Sequence, residues 1–471
     1  MNGGGYLAVL LAYAGILVGL GLYLSRRVQS AGDFFVAGRG LPPGLIFATF
    51  LAANIGAGST VGATGRGYTQ GLSAVWWVGS AGLGSLVLAF FVGPRIWRLA
   101  KKHNFLTVGD FLEMRYSRGV RLFLGVTLWL GCLFILAGQL IAIAWILNVT
   151  AGLPKVWGCA LGGMVVAVYF SAGGLRTAAS LHVIQITVKM TGFFIAVPWA
   201  LHAVGGWEKL HTMAAPPGYF SPVGVGLRGV LGYIVVFMPN FFIAPGLIQK
   251  LYGARSESAV RKGVGWHAAV LLLYAVLPAL IGMIARSAFP GLANPELALP
   301  MLLRDLLPWW LGALLLGAVF SAELSAGDAV LFMLSTSLGK DLYKSLLNPL
   351  ASEAQLLRVT RLVSFAAGIL GTALAMVLPS VVDALTAFYG ILTVVLMVPL
   401  LAGLYLKAPG PFAALATMSI STIAMLAAQF LTGGKGLGIF NPVALGISAG
   451  AVVMAIFILS GRNSHGRPVS S

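Results

Sequence analysis

Thirteen stretches of this chain are apolar for long enough to cross a bilayer as helix. That constrains the fold more than any other feature. A hydrocarbon core of about 30 Å takes roughly 20 helical residues. Runs of that order lie at 6–24, 43–64, 72–95, 119–147, 155–171, 183–204, 227–250, 264–286, 308–337, 357–377, 381–406, 410–431 and 439–460. Inside lipid the backbone has no water to bond, so a spanning segment must be a helix or part of a closed barrel. Barrel strands alternate apolar and polar residues, whereas these runs are continuously apolar and read as helices. The expected class is an all-α polytopic membrane protein with about 13 transmembrane helices.

Charged residues make up 9% of the 471, against about 25% in soluble domains. This excludes a soluble enzyme and a disordered chain. It leaves the lipid bilayer as the expected partner and no nucleic acid, so the net charge of +18 reports topology. With the N-terminus outside and the loops alternating, 22 of the 30 Lys and Arg fall on the cytoplasmic side and 7 outside, and Lys189 is left within a helix. This positive-inside bias places the chain in the cell (plasma) membrane, multi-pass, with a cytoplasmic C-terminus. The first run ends in Ser25-Arg26-Arg27 with no small-residue cleavage site, so it is expected to be a retained helix. Cys132 and Cys159 lie in apolar runs and imply no disulfide framework. The six histidines show no ligand spacing, and neither HExxH nor GxSxG occurs, so no enzyme is expected. Rings of charge of the kind that line channels are also absent. The longer outer loops, about 205–226 and 287–307, are either short lids over a vestibule or plain connectors.

Two of the runs are interrupted at mid-depth. The second reads Leu51-Ala52-Ala53-Asn54-Ile55-Gly56-Ala57-Gly58-Ser59-Thr60, with two glycines and a cluster of polar side chains. The seventh reads Phe237-Met238-Pro239-Asn240-Phe241-Phe242-Ile243-Ala244-Pro245-Gly246, where two prolines remove backbone donors. Gly- or Pro-interrupted helices at matching positions of two halves mark the binding site of many transporters. The interruptions are five runs apart, which fits two inverted five-helix repeats. The expected organisation is 1–42 as an extra N-terminal helix with the first inner loop and 43–406 as a transporter core, with repeats at about 43–204 and 227–406. Residues 407–471 add two C-terminal helices and a short tail. Kinks used only for helix packing are the alternative. Unwound backbone frees carbonyl oxygens suited to a hard cation such as Na⁺.

Several segments resemble the sodium:solute symporter family, which includes the sodium/glucose, sodium/proline and pantothenate transporters. They are Ser30 to Pro42 (SAGDFFVAGRGLP); Ala52-Ala53-Asn54-Ile55 with Gly67-Tyr68 and Gly71-Leu72; Thr107 to Tyr116 (TVGDFLEMRY); Gly173-Gly174-Leu175 followed by Val183-Ile184-Gln185; and Ser325-Ala326-Gly327-Asp328 with Lys340-Asp341-Leu342-Tyr343. The resemblance implies a LeuT-type fold, alternating access and solute uptake driven by a Na⁺ gradient. It implies a sodium site made of backbone oxygens of Ala52, Ile55 and Ala322 and the hydroxyl of Ser325. Positions 322 and 325 share a helix face. Two positions depart from the family pattern: its second hydroxyl is Ala326 here, and a carboxylate of many members is His182. Both changes weaken a Na⁺ site.

Ionisable residues inside a membrane are functional candidates by default. Lys189 shares a face with His182 and Gln185, while Glu323 and Asp328 lie in the ninth run. These residues allow an alternative mechanism, with H⁺ as coupling ion. The Lys189 ammonium would fill the cation site, or pair with Asp328 or Glu323. A snorkelling role for Lys189 is also open, and helical geometry turns Glu323 about 160° from Ser325.

The solute pocket is expected between the breaks, with Asn54, Ser59, Trp76, Trp77, Asn240 and Phe241 as its lining. The two tryptophans could instead be interfacial anchors. Where sugar-transporting members carry a carboxylate on the third run, this chain has Val78, which points away from a sugar. So few polar groups suit a small organic solute with an apolar body and one or two polar handles.

Overall fold

The computed structural model describes residues 3–25, 37–171, 175–213, 215–406 and 410–460. Each of the thirteen apolar runs falls on helix. Among the described residues, ten helices are long and apolar enough to cross a membrane, and Gly4–Tyr13, Pro43–Asn54 and Lys155–Val166 are shorter apolar helices. The second run contributes to both groups because its break cuts it in two: Pro43–Asn54 stands apart, and its remainder joins the third run in one helical stretch, Gly58–His103.

Helix ends follow their local chemistry. Ser380 caps Val381–Tyr405 and Asn441 caps Pro442–Leu459. Thr107 with Asp110, and Ser352 with Gln355, form reciprocal capping boxes at the starts of Val108–Arg115 and Glu353–Val377. In each case a side-chain oxygen satisfies an amide that the helix leaves unpaired.

The Trp309–Thr336 helix runs through the centre of the molecule. Within it, 89% of the Trp309–Gly327 window is buried, against 28% for Pro411–Leu431 and for Pro442–Leu459, which present mostly lipid-facing surface. Small residues let the central helices approach closely. A Cβ on Gly67 would stand 2.5 Å from the Ala279 carbonyl oxygen, and one on Gly282 would stand 2.2 Å from that of Thr64. Ala63–Gln70 and Val276–Ala288 therefore cross almost backbone to backbone, which fixes the half-helix on the C-terminal side of the first break.

The two long loops fold over one end of this core. In the first, Tyr219 donates from its hydroxyl to the carbonyls of Gly67 and Tyr68, and its own carbonyl accepts from Leu72. The guanidinium of Arg286 lies 5.3 Å from the Tyr219 ring centroid and adds a cation–π contact to this packing. In the second loop, Glu296 accepts from Val381 and Val382 N–H and from Trp145 Nε1 at 3.0–3.1 Å. Both loops are thus packed against the core rather than being free connectors.

Candidate functional site

The first break is an opened turn whose peptide groups are bonded from outside. Pro43–Asn54 ends at Ile55, which has φ −99° and ψ 84°. The Ala57 N–H donates to Gln139 Oε1 (2.8 Å), and the Gly58 carbonyl accepts from Trp77 Nε1 (2.7 Å). The Ser59 carbonyl accepts from the Tyr274 hydroxyl at 3.0 Å. Ser59 Oγ reaches back to the Asn54 carbonyl at 2.8 Å, and Asn54 Nδ2 lies 2.9 Å from His267 Nε2. For the amide to donate there, Nε2 must carry the ring's lone pair.

The second break is made differently. Helix Gly226–Phe237 gives way to a single turn, Asn240–Ile243, and then to Pro245–Tyr252. Ala244, with ψ 122°, is the hinge, and Pro245 has no N–H to return to the Phe241 carbonyl. Asn240 is buried, and its amide donates to Val236 O (2.6 Å) and to Thr393 Oγ1 (2.7 Å), which ties this span to Val381–Tyr405.

Between the breaks lie two small adjoining cavities of about 40 and 70 Å³, which share Ala53, Asn54, Ile135, Gln139, Phe241 and Tyr389. The first is also lined by Ser59, Trp77 and Val78, and the second by Asn240 and Lys250. On the side carrying the first half of the seventh span there is a vestibule of about 610 Å³, lined by Arg66, Trp77, Tyr233, Phe237 and Asp383 among others. Trp77 and Phe237, with ring centroids 4.3 Å apart, line both the vestibule and the first cavity and separate them.

Five of the six residues expected around the solute do line these cavities: Asn54, Ser59, Trp77, Asn240 and Phe241. Trp76 does not. Neighbouring helical residues point about 100° apart, and its indole N–H turns to the Pro222 carbonyl (2.9 Å) in the loop over the vestibule.

The four expected sodium ligands converge on one point. Ser325 Oγ lies 3.0 Å from Ala322 O and 3.4 Å from Ala52 O. Lys189 Nζ donates to Ser325 Oγ at 2.8 Å and to Ile55 O at 3.4 Å, so its side-chain nitrogen stands among these oxygens. Lys189 is fully buried, which removes the snorkelling reading. Glu323, also fully buried, faces the other side of its helix, as its spacing from Ser325 requires. Its Oε1 is 2.7 Å from Thr60 Oγ1, and Oε2 has no partner. Thr60 has one hydroxyl hydrogen, and its oxygen is also 3.0 Å from Gly56 O. A neutral carboxyl that donates to Thr60 lets both bonds form at once. The side chains of His182 and Asp328 lie outside the described residues.

Several groups at the site escaped sequence reasoning: Gln139, Tyr274, His267 and Tyr389. Gln139 had a signal in the sequence, since it is an amide in the middle of the apolar helix Arg118–Ala151. Tyr274 and Tyr389 look like ordinary core aromatics, and only the fold brings them to the break.

The sodium:solute symporter family model matches residues 34–421. The sodium/glucose cotransporter of Vibrio parahaemolyticus is 25% identical over 440 residues, covering 84% of this chain and 79% of that protein. The sodium/pantothenate symporter of Escherichia coli (strain K12) is 26% identical over 446 residues, covering 88% of both chains. In three dimensions the chain superposes on a Na⁺-coupled sialic acid symporter in its substrate-bound outward-open state, with a TM-score of 0.82, 19% identity and 99% of both chains covered. A nucleobase-cation-symport-1 family transporter in a closed conformation gives 0.56 at 13% identity, covering 92% of this chain and 95% of that one. The fold is thus the all-helical, inverted-repeat fold of secondary transporters, and the chain belongs to the sodium:solute symporter family.

Proposed function

We propose that this protein is a multi-pass plasma-membrane symporter. It would carry a small organic solute, held in the cavities between the two broken spans, by alternating access. The observation that supports this most is the meeting of both breaks around shared cavities, with a vestibule on one side and an aromatic partition between. In the proposed organisation, 43–204 and 227–406 are the two repeats. The N-terminus and the vestibule face outward, as the charge asymmetry of the loops favours.

Na⁺ is the coupling ion in the names of the relatives, and the oxygens of Ala52, Ile55, Ala322 and Ser325 are its proposed ligands here. The position of Lys189 supports a second reading. An ammonium within hydrogen-bonding distance of two of these oxygens competes with Na⁺ for the same place by charge and by volume. Proton movement between Lys189 and Glu323 would then supply the driving step. Uptake into proteoliposomes with Na⁺ and pH gradients imposed separately tests both readings. Accumulation driven by Na⁺ at equal pH supports the first, and accumulation driven by a pH gradient without Na⁺ supports the second. Accumulation under neither gradient overturns the symport proposal.

A further inference from the structure

We infer that the solute is a small organic anion, a carboxylate with an apolar or aromatic body, and that Arg66 is the residue that captures it. The inference rests on the symport reading and names its substrate class. Arg66 lies on Ala63–Gln70, the half-helix after the first break, and lines the vestibule. Its guanidinium is 5.6 Å from the Trp77 ring centroid, so it lies over the indole that forms part of the vestibule floor. Its Nε is buried without a hydrogen-bond partner. No ion pair to Arg66 is formed among the described residues. Arginine stays charged at any biological pH, so this half-buried guanidinium offers a fixed positive charge to the vestibule. A guanidinium lying on an aromatic face keeps its N–H edge free for a bidentate carboxylate. This one faces the open volume through which a solute must pass.

The central cavities agree. The residues lining them include no carboxylate, and Lys250 is the one charged side chain among them. It lies on Pro245–Tyr252, the far half of the seventh span, with Nζ also donating to Thr49 O at 3.1 Å. Neutral polar groups (Asn54, Ser59, Gln139) face these cavities, a lining that disfavours a cation. Asp383 is the carboxylate of the vestibule, and it sits exposed at the start of Val381–Tyr405. It opposes an incoming anion at the entrance.

The test uses the full-length protein in proteoliposomes under combined inward Na⁺ and pH gradients, with protein-free liposomes as reference. The probes are matched pairs, lactate with lactamide and nicotinate with nicotinamide, alongside glucose and proline. The expected result is accumulation of an acid and not of its amide. Arg66→Gln raises the half-saturating concentration about tenfold, as loss of one charge-assisted contact predicts, with maximal rate within about twofold. Arg66→Lys restores part of the loss. Asp383→Asn moves the same constant the opposite way, and this stands as an independent check should Arg66→Gln fold poorly. Accumulation of amides, glucose or proline in place of the acids overturns the anion inference and leaves the symport reading standing. An unchanged half-saturating concentration in both variants overturns the role of Arg66. No gradient-driven accumulation of any probe overturns the inference and the symport reading together.

Discussion

The two broken spans line the same cavities, yet they are built from different chemistry. The break at 55–58 is opened by glycines and held by Gln139, Trp77, Tyr274 and Lys189, each donating to or accepting from an exposed peptide group. The break at 239–245 is opened by prolines, which remove the donors that would otherwise need partners. Its one amide side chain, Asn240, bonds to Val236 and Thr393 instead. The first break is thus a hub whose shape depends on four neighbouring helices. The second is a hinge whose shape is set by its own residues. Mutations around the first should therefore act on stability and coupling together, and those at the second mainly on the rate of conformational change.

The sharpest test of this contrast is Lys189→Met. Removing the amino group strips Ser325 Oγ and Ile55 O of their donor. The expected loss is about 1–3 kcal/mol, the scale for leaving buried acceptors without their donor, together with loss of pH-driven accumulation. Thermal melting in detergent and gradient-resolved uptake measure the two effects. Retained pH-driven uptake in this variant would break the assignment of Lys189 to coupling.

Gln139→Leu comes next. It leaves the buried Ala57 N–H without an acceptor, a cost of about 1–3 kcal/mol. The expected result is a lower melting temperature with weakened uptake. An unaltered melt would mean the hub does not depend on this bond. Glycine substitutions compare the breaks directly. A Cβ on Gly56 would meet Ala326 Cβ at 2.5 Å and Gln139 Oε1 at 2.7 Å, whereas one on Gly246 would meet Met333 Sδ at 2.4 Å, the end of a flexible side chain. Gly56→Ala should destabilise by about 1–3 kcal/mol through overpacking, and Gly246→Ala by clearly less. Equal melting shifts would remove the distinction between hub and hinge.

The smallest effect expected is at Glu296, in the loop over the core. Burial holds its carboxyl above the ordinary value of 4.5, Asp383 adds to the rise, and the Val381 and Val382 N–H groups and Trp145 oppose it. A carboxyl raised in the folded state favours its protonated form there. Its contribution is therefore fully present below pH 4.5 and is lost as the pH climbs through the raised value. Glu296→Gln should flatten that part of the melting-temperature profile by a fraction of a kcal/mol. A profile unchanged from the parent protein would show that Glu296 does not set it.

Much of the fold was legible because lipid imposes a simple length rule. The apolar runs fall on helices, and the Gly and Pro signals stand where the helices open. The rest was illegible for specific reasons. The length rule takes the second run as one helix, since nothing in composition says that Pro43–Asn54 separates from the stretch beginning at Gly58. Trp76 and Trp77 are indistinguishable in sequence, and only the helix rotation sends one to the Pro222 carbonyl and the other to the cavity. Helical spacing correctly put Glu323 opposite Ser325, but it could not name Thr60 as the neighbour, because that contact spans 263 residues. The spacing of Lys189 marked a functional candidate and left its reach open between the membrane edge and Ser325.

The partition of Trp77 and Phe237 is a single layer of rings between a wide antechamber and a cramped inner chamber. A shutter so thin must swing each time cargo passes, and it must reseal before the opposite side unlatches. A passage made by the ion without its solute would be a leak that dissipates the stored gradient. If these rings act as that shutter, energetic efficiency would hinge on how tightly their motion is linked to the filling of the chamber they cover.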